Sequence, residues 1–256
     1  MQQSMKPSKL QPEFRMHRRL MRKLGEAIRK FCLIEDGDRV LIGLSGGKDS
    51  LALLDLLGEM MVRTNHKFEL KAVHVRMKGV DYLTDTSYLE EQAAKWNVPL
   101  EVLAVKLEAD RKPKRTPCFL CSWNRRKSLF QMAQEQGYNK IALGHHQDDI
   151  IRTALMNLSY NGTFSTMPAK LVMRKFPVAI IRPLSMMREA DLTAWAKMRD
   201  YKPVEKVCPY DSTTRRTSIG SVLESFEALS PDFRQSLWHA LDKAGALMEM
   251  PNPMEN

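Results

Sequence analysis

The chain has 256 residues, of which 43% are hydrophobic; this is enough apolar material for one large domain and argues against global disorder. No apolar run reaches membrane-spanning length, and residues 1–7 lack the apolar segment of a secretory signal, so we expect a cytoplasmic protein without a membrane partner. The 40 lysines and arginines exceed the 30 acidic residues by 10. Such a charge is compatible with a polyanionic partner, for example tRNA, and equally with a merely basic surface.

The first predicted element is a basic amphipathic helix over 14–31, whose apolar residues recur at helical spacing. After a turn at 35–38, short apolar runs alternate with longer segments of helical periodicity. The predicted strands are 40–44, 68–75, 100–105, 140–144 and 177–181. The further predicted helices are 51–61, 87–96, 122–137, 147–158, 189–199, 218–229 and 232–247.

This alternation predicts an α/β fold, with a doubly wound, mostly parallel five-stranded sheet and helical N- and C-terminal extensions. We divide the chain into a basic N-terminal helix (1–33), the α/β domain (34–205) and a helical extension (206–256), in which the strand pattern stops. Ligands of such sheets bind beyond the carboxyl ends of the strands. Functional residues are therefore expected in the loops that follow the strands.

Basic residues are concentrated in three places, at 15–23, 111–115 and 125–127. Two of these clusters flank a pair of cysteines. Clustered cations of this kind are typical of proteins that bind a nucleic-acid backbone. The candidates for RNA contacts are Arg18, Arg19, Arg22, Arg115, Arg125 and Arg126.

A glycine-rich loop, Ser45-Gly46-Gly47-Lys48-Asp49-Ser50, joins the first strand to an apolar helix. The glycines allow a tight turn, and the helix start supplies N–H donors and a partial positive charge. Together with the serine hydroxyls and Lys48, these groups favour phosphate binding. The alternative is a plain glycine-rich turn before a helix.

Four cysteines are present: Cys32, Cys118, Cys121 and Cys208. Structural disulfides are disfavoured in the cytoplasm, so Cys118-x-x-Cys121 indicates a zinc site, a redox pair or an iron–sulfur cluster. Cys208 lies in a polar, Pro-flanked stretch where packing is a less natural role. We expect Cys32, at the end of an apolar helix face, to be a buried small hydrophobe.

The segment Gly144-His145-His146-Gln147-Asp148-Asp149 follows the fourth strand, at the sheet edge that also carries the glycine loop. Asp148 or Asp149 is a candidate ligand of Mg²⁺ beside the phosphates, and either is equally suited to cap the next helix. His145 and His146 are candidates for a nucleotide contact or for a structural role.

The loop at 45–50 is similar to the signature of the PP-loop ATP pyrophosphatases. The ordered set of segments further resembles the TtcA family of tRNA 2-thiocytidine synthetases, from about residue 18 to residue 208. The segments that carry this resemblance are 34–38, 44–50, Cys118-x-x-Cys121, 142–149, 167–171 and 181–184.

The resemblance implies ATP-dependent thiolation of a cytidine in the tRNA anticodon loop. The base oxygen is adenylated, and a sulfur carried on the open iron of a 4Fe–4S cluster replaces it. The implied cofactors are ATP, Mg²⁺ and the cluster, and the implied cluster ligands are Cys118, Cys121 and Cys208. The implied catalytic residues are Lys48 and Asp49. The implied ATP-binding residues are Ser45, Gly46, Gly47, Lys48, Asp49, Ser50 and Gly144.

The implied partners are tRNA and a sulfur donor, either a cysteine desulfurase or sulfide, with a homodimer as one option. The segments His74-Val75-Arg76-Met77 and Val207-Cys208-Pro209 depart from the usual family text. Three alternatives follow: a PP-loop sulfurtransferase with another target, one that uses a persulfide, and a metal-bearing RNA-binding module without catalysis.

Overall fold

The computed structural model describes residues 12–64, 67–78, 86–106, 117–173, 176–202 and 215–249. Within these ranges the chain forms eight helices and seven strands. The helices are α1 (Pro12–Phe31), α2 (Lys48–Arg63), α3 (Thr86–Ala94), α4 (Pro117–Glu135), α5 (Gln147–Asn161), α6 (Glu189–Met198), α7 (Arg215–Leu229) and α8 (Phe233–Lys243). The strands are β1 (Arg39–Gly43), β2 (Glu69–Lys78), β3 (Leu100–Lys106), β4 (Lys140–Ala142), β5 (Lys170–Val172), β6 (Ala179–Ile181) and β7 (Met248–Glu249).

The strands form a single sheet in the order β3-β2-β1-β4-β6-β5-β7. The pairs from β3 to β6 are all parallel, and only β5 runs antiparallel to its neighbour β6. Leu41 of β1 lies opposite Lys71 of β2 and Ile141 of β4, so β1 is central. The predicted α/β class, the doubly wound parallel sheet and its five strands are confirmed.

The described sheet contains two strands beyond the predicted five, β5 and β7. The prediction that the strand pattern stops at residue 206 is wrong, because β7 pairs with β5 at Met248 and Lys170. Both additional strands are at one end of the sheet and only three and two residues long. β4 and β6 are equally short but are continuous buried apolar runs, whereas β5 is only partly buried and β7 has two residues, so neither β5 nor β7 gives a usable sequence signal.

Helix α2 forms the centre of the core, since every residue from Ser50 to Met60 is buried. Glycine at position 58 has a packing reason: a Cβ there would lie 2.5 Å from the Trp96 ring. The one carboxylate on this stretch that faces Trp96 is Asp55, which accepts hydrogen bonds from Trp96 Nε1, Arg199 and Tyr201. A buried charge satisfied in this way joins α2 to Trp96, which follows α3, and to the segment that follows α6.

Helix α1 packs its apolar stripe, including Leu20, Leu24 and Phe31, into the same core. It ends at Phe31, and Cys32 follows with a left-handed backbone (φ 46°) that turns its side chain off the buried stripe. Cys32 is exposed, so the prediction of a buried cysteine is wrong. Within the described residues, we find no helix with the length and apolar character that crossing a membrane requires.

Candidate functional site

The loop between β1 and α2 turns at Gly46, whose φ of 82° is a left-handed conformation that favours glycine. Ser45 Oγ donates to Ser50 Oγ at 3.1 Å, and Ser50 Oγ lies 2.9 Å from the Gly47 carbonyl oxygen. The first N–H bonded within α2 is that of Leu51, which donates to Gly47 O. The N–H groups of the preceding helical turn are therefore directed out of the helix end, as a phosphate site requires.

Gly144 allows the loop after β4 to lie against this helix start. A Cβ on Gly144 would come within 3.1 Å of the Asp49 carbonyl and of Ser50 N. A side chain at position 144 would therefore press on the backbone that shapes the glycine loop. Glycine at position 144 therefore leaves the backbone of the glycine loop undistorted. That backbone fits a nucleotide phosphate.

The loop cation Lys48 is surrounded by carboxylates. Its Nζ lies 3.0 Å from both carboxylate oxygens of Asp49 and 3.4 Å from Glu189 Oε1, and the second oxygen of Glu189 accepts a hydrogen bond from Arg152 at 3.0 Å. Glu189 therefore bridges two cations beside the loop. Neither Glu189 nor Arg152 was a candidate from sequence, and the signal that could have marked Glu189 is its position at a helix start behind the last core strand.

The two adjacent aspartates of 144–149 have different surroundings. Asp149 Oδ2 accepts a hydrogen bond from His146 N at 3.2 Å, as an N-terminal capping residue does. Its Oδ2 is also 3.5 Å from His146 Nε2, which is itself 4.0 Å from Asp49 Oδ2. His146 is buried between the carboxylates of Asp49, Asp148 and Asp149.

Asp148 is buried and fastens distant elements together. Its Oδ2 accepts a hydrogen bond from Glu189 N at 2.7 Å, and its Oδ1 lies 2.9 Å from Arg234 Nη1. Burial alone would raise the pKa of Asp148, but the Glu189 N–H and the Arg234 charge hold that pKa below its usual value. These contacts give Asp148 a structural role, which is to hold the start of α6, and hence Glu189, beside the loop, whereas the residue that takes part in capping α5 is Asp149.

Two further buried side chains lie at this edge of the sheet. His74 Nδ1 donates to Leu44 O at 2.8 Å, and burial, together with the charge of Arg125, lowers the pKa of His74. Arg182 donates to Pro168 O, and burial, together with the charge of Arg126, lowers the pKa of Arg182 to about 10. Arg182 directly follows β6, which is the positional signal that sequence could have used, whereas His74 lies within β2.

The cysteine pair lies in the first turn of α4, which begins at Pro117 and thus five residues before the predicted start. Two cysteines three apart within a helical turn are a donor set that fits a cluster or a metal. Cys208 and Arg115 lie outside the described residues. Across the described ranges, no group of three or more His, Cys, Asp or Glu side chains is placed to hold a metal ion.

The basic candidates differ in what they contact. On α1, Arg19 pairs with the buried Asp191, and Arg22 pairs with Glu26 at 2.6 Å. Arg18 is exposed, with its guanidinium carbon 6.0 Å from the Phe14 ring. On α4, Arg126 is exposed and Arg125 is partly buried.

The parallel sheet with the loop Ser45-Gly46-Gly47-Lys48-Asp49-Ser50 at its first strand–helix junction fits a PP-loop protein. In agreement, the family described as "PP-loop domain" matches residues 16–223 of the chain. This match includes the loop, the cysteine pair, the 144–149 segment and Glu189.

Similar proteins of known name indicate to which family of PP-loop proteins the chain belongs. The chain is 36% identical to a tRNA-cytidine(32) 2-sulfurtransferase of Shewanella baltica (strain OS195), over 89% of this chain and 74% of the relative. It is 33% identical to the tRNA-cytidine(32) 2-sulfurtransferase of Legionella pneumophila (strain Paris), over 91% of this chain and 84% of the relative. The chain belongs to the TtcA family of PP-loop proteins, as the motifs predicted.

A solved structure supports the fold. The U34-tRNA thiolase NcsA from Methanococcus maripaludis, determined with its [4Fe-4S] cluster, superposes with a TM-score of 0.75. The alignment covers 94% of this chain and 83% of that chain at 24% sequence identity. The arrangement of sheet and helices is therefore shared with a protein of known architecture.

Proposed function

We propose that the chain is an ATP-dependent tRNA sulfurtransferase that forms 2-thiocytidine in the anticodon loop and acts in the cytoplasm. The observation that carries the proposal is the glycine loop at the start of α2, with Gly144 seated against it, in a chain one third identical to tRNA-cytidine(32) 2-sulfurtransferases. The loop supplies a phosphate site, and the relatives supply the substrate class.

The loop would bind the phosphates of ATP through backbone N–H groups and Lys48. In the structure Lys48 is neutralised by Asp49 and Glu189. We infer that the phosphates take the place of Glu189 at Lys48, and that Arg152 keeps Glu189 at the rim. Lys48 then faces the charge that develops on pyrophosphate, which is where a fixed cation accelerates the reaction.

The chemistry would have two displacements. The cytosine O2 attacks the α-phosphorus, the bond between that phosphorus and the bridging oxygen breaks, and pyrophosphate leaves. A sulfur nucleophile then attacks C2, and AMP leaves with the former base oxygen. Adenylation is needed because the unmodified oxygen is a poor leaving group.

Mg²⁺ would reach the site with the ATP phosphates. Of the two aspartates, Asp149 is the better candidate to meet it, because both oxygens of Asp148 are engaged by Glu189 N and Arg234. Asp49 lies on the same side of His146 and can share this task. Few protein ligands are needed, since Mg²⁺ commonly keeps several waters and takes the rest from phosphates.

Cys118, Cys121 and Cys208 would hold the cluster. When bound, a 4Fe–4S cluster with three protein thiolates supplies an open iron for an exogenous sulfur. The helix start at Pro117 and the cations of α4 favour the thiolate form of the cysteine pair. The sulfur itself would come from sulfide or a cysteine desulfurase.

The cluster assignment is tested by purification without oxygen. We expect iron and sulfide in the preparation, and loss of both the iron and the activity in Cys208→Ala. Zinc without iron would contradict the cluster. Activity that persists in Cys208→Ala would instead favour a persulfide on Cys118 or Cys121.

The function is tested by nucleoside analysis of tRNA from cells that lack the protein. We expect 2-thiocytidine to disappear and to return with the wild-type gene but not with Lys48→Ala. Unchanged 2-thiocytidine, with another thiolated nucleoside lost, would assign a different target. No loss, and no pyrophosphate release from ATP with any tRNA, would indicate a binding module.

A further inference from the structure

One exposed aromatic side chain lies on the helix that carries the cysteine pair. Trp123 of α4 is 41% exposed, two residues after Cys121. The chain has four tryptophans, all at described positions, and the other three pack against the hydrophobic core. Trp195, for example, is only 2% exposed. An indole left in water at one position is typical of a contact surface.

Two cations lie beside this indole. Lys127 Nζ is 5.3 Å from the centroid of the Trp123 ring. Arg126 is exposed, and its guanidinium is held along the helix by Ser122, whose Oγ accepts a hydrogen bond at 3.0 Å. We call Trp123, Arg126 and Lys127 the α4 patch. An aromatic face with one cation beside it and a second on the same helical turn fits a ligand that has both a stacking base and a phosphate.

The position of α4 brings the patch to the functional edge of the sheet. The helix lies between β3 and β4 in the chain, and both strands run parallel to the central strands. Its N-terminus is therefore at the carboxyl edge, where the glycine loop also begins. Electrostatic effects agree with this placement. The charge of Arg125 lowers the pKa of His74, and the charge of Arg126 lowers the pKa of Arg182.

The exposed apolar row on α7 does not share these properties. Val222, Phe226 and Leu229 form an exposed row on α7, but no cation lies among them in the helix sequence from 222 to 229. The α4 patch is distinguished by its charge and by its place beside the site. A phosphate-bearing strand with unstacked bases therefore fits it better than an apolar protein surface.

We propose that Trp123 is a stacking platform for an unpaired base of the tRNA loop, next to the cytidine that enters the nucleotide site. The proposal rests on the proposed function, because it takes the tRNA loop as the substrate. Arg126 and Lys127 hold the phosphates on either side of the stacked base. The platform keeps the loop strand splayed while the target base reaches the glycine loop, since sequence-specific RNA recognition uses unstacked loop bases.

The test compares Trp123→Ala, Trp123→Phe and the wild type. The probes are an anticodon stem-loop with an unpaired loop and the same stem extended into a continuous duplex. We expect Trp123→Ala to weaken binding of the stem-loop roughly tenfold and binding of the duplex hardly at all. Trp123→Phe should stay within about threefold of the wild type, because a phenyl ring still stacks.

A fluorescence measurement reports the stacking directly. The stem-loop should quench wild-type tryptophan emission, and the difference from Trp123→Phe should contain most of the quenching. Val222→Ala, an exposed apolar change on α7, is the matched control and should bind like the wild type. Melting temperatures establish that each variant is folded.

Three results would overturn the platform: a folded Trp123→Ala that binds the stem-loop like the wild type, equal losses on stem-loop and duplex, or no binding of either RNA by the wild type. The proposed function has a separate readout. If no 2-thiocytidine is formed but the loop-specific loss persists, the platform stands and the thiolation proposal fails.

Discussion

Helices α1 and α4 both carry arginine-rich segments that sequence alone marks as RNA-binding candidates, yet the two helices differ in what their cations contact. On α1, Arg19 and Lys23 both meet the Asp191 carboxylate of α6, which is only 6% exposed. On α4, Arg126 is exposed next to Trp123. Arg19 and Lys23 thus fasten α1 to the core, while Arg126 of α4 faces solvent at the functional edge.

The difference teaches that a basic cluster has to be judged by its partners. Burial alone would raise the pKa of Asp191, but the hydrogen bond from Arg19 and the charge of Lys23 hold that pKa below its usual range. A buried carboxylate of this kind requires its cations, so they are not available to phosphates. Arg18, which is exposed beside Phe14, stays a candidate for an RNA contact.

The largest expected effect is on stability. Asp191→Ala leaves Lys23 and Arg19 facing a buried gap, and we expect it to lower the free energy of unfolding by about 3 kcal/mol. Glu26→Ala removes the exposed partner of Arg22 and should cost less than about 1 kcal/mol. Urea unfolding measures both. Equal effects would mean that the Asp191 cluster does not fasten α1.

The second effect separates the helices by function. Arg126→Ala should weaken tRNA binding several-fold and reduce the slope of log Kd against log salt by about 1, with an unchanged melting temperature. Arg19→Ala should do the reverse, with a lower melting temperature and nearly unchanged binding. Titrations at several salt concentrations check this. If Arg19→Ala weakened binding and Arg126→Ala lowered the melting temperature, the roles inferred for α1 and α4 would be reversed.

The smallest effect concerns His74, a buried histidine whose pKa is lowered by burial and by the charge of Arg125 on α4. Burial and the Arg125 charge lower the folded pKa of His74 below 6.5, its ordinary value. Below pH 6.5 the unfolded chain therefore binds a proton at His74 more readily than the folded chain does. The free energy of unfolding is accordingly highest above pH 6.5 and falls as the pH drops below that value. His74→Asn should flatten the melting temperature between pH 7 and pH 5. The same decline in wild type and variant would exclude His74 as the source.

The sequence predicts the regular strands and helices and the glycine turns between them. Alternating apolar strands and helices predict the parallel sheet, and the glycines at 46 and 144 mark the places where a left-handed turn and a close backbone approach are needed. The edge strand β7 escapes prediction because two residues carry no period. Cys32 is exposed and not buried as the apolar helix face predicts, because its exposure depends on a single φ angle at the helix end.

Contacts between distant residues were not predictable from local pattern. Asp191 meets Arg19 across 172 positions, and Glu189 meets Lys48 across 141. No periodicity or spacing encodes these pairs, because each depends on how α6 packs beside α1 and α2. The same packing decides which basic residues remain exposed, and hence the contrast between the two helices.

The most direct test of the proposed function is an assay that measures the products of both displacements in the same reaction. Protein prepared without oxygen is incubated with Mg-ATP, sulfide and unmodified tRNA, and AMP and 2-thiocytidine are quantified together. We predict one AMP per thiolated cytidine, and at least about 100-fold loss of both products in Lys48→Ala. Lys95→Ala, a change in an exposed i,i+4 ion pair, should leave both unchanged. Formation of 2-thiocytidine without AMP would contradict the account.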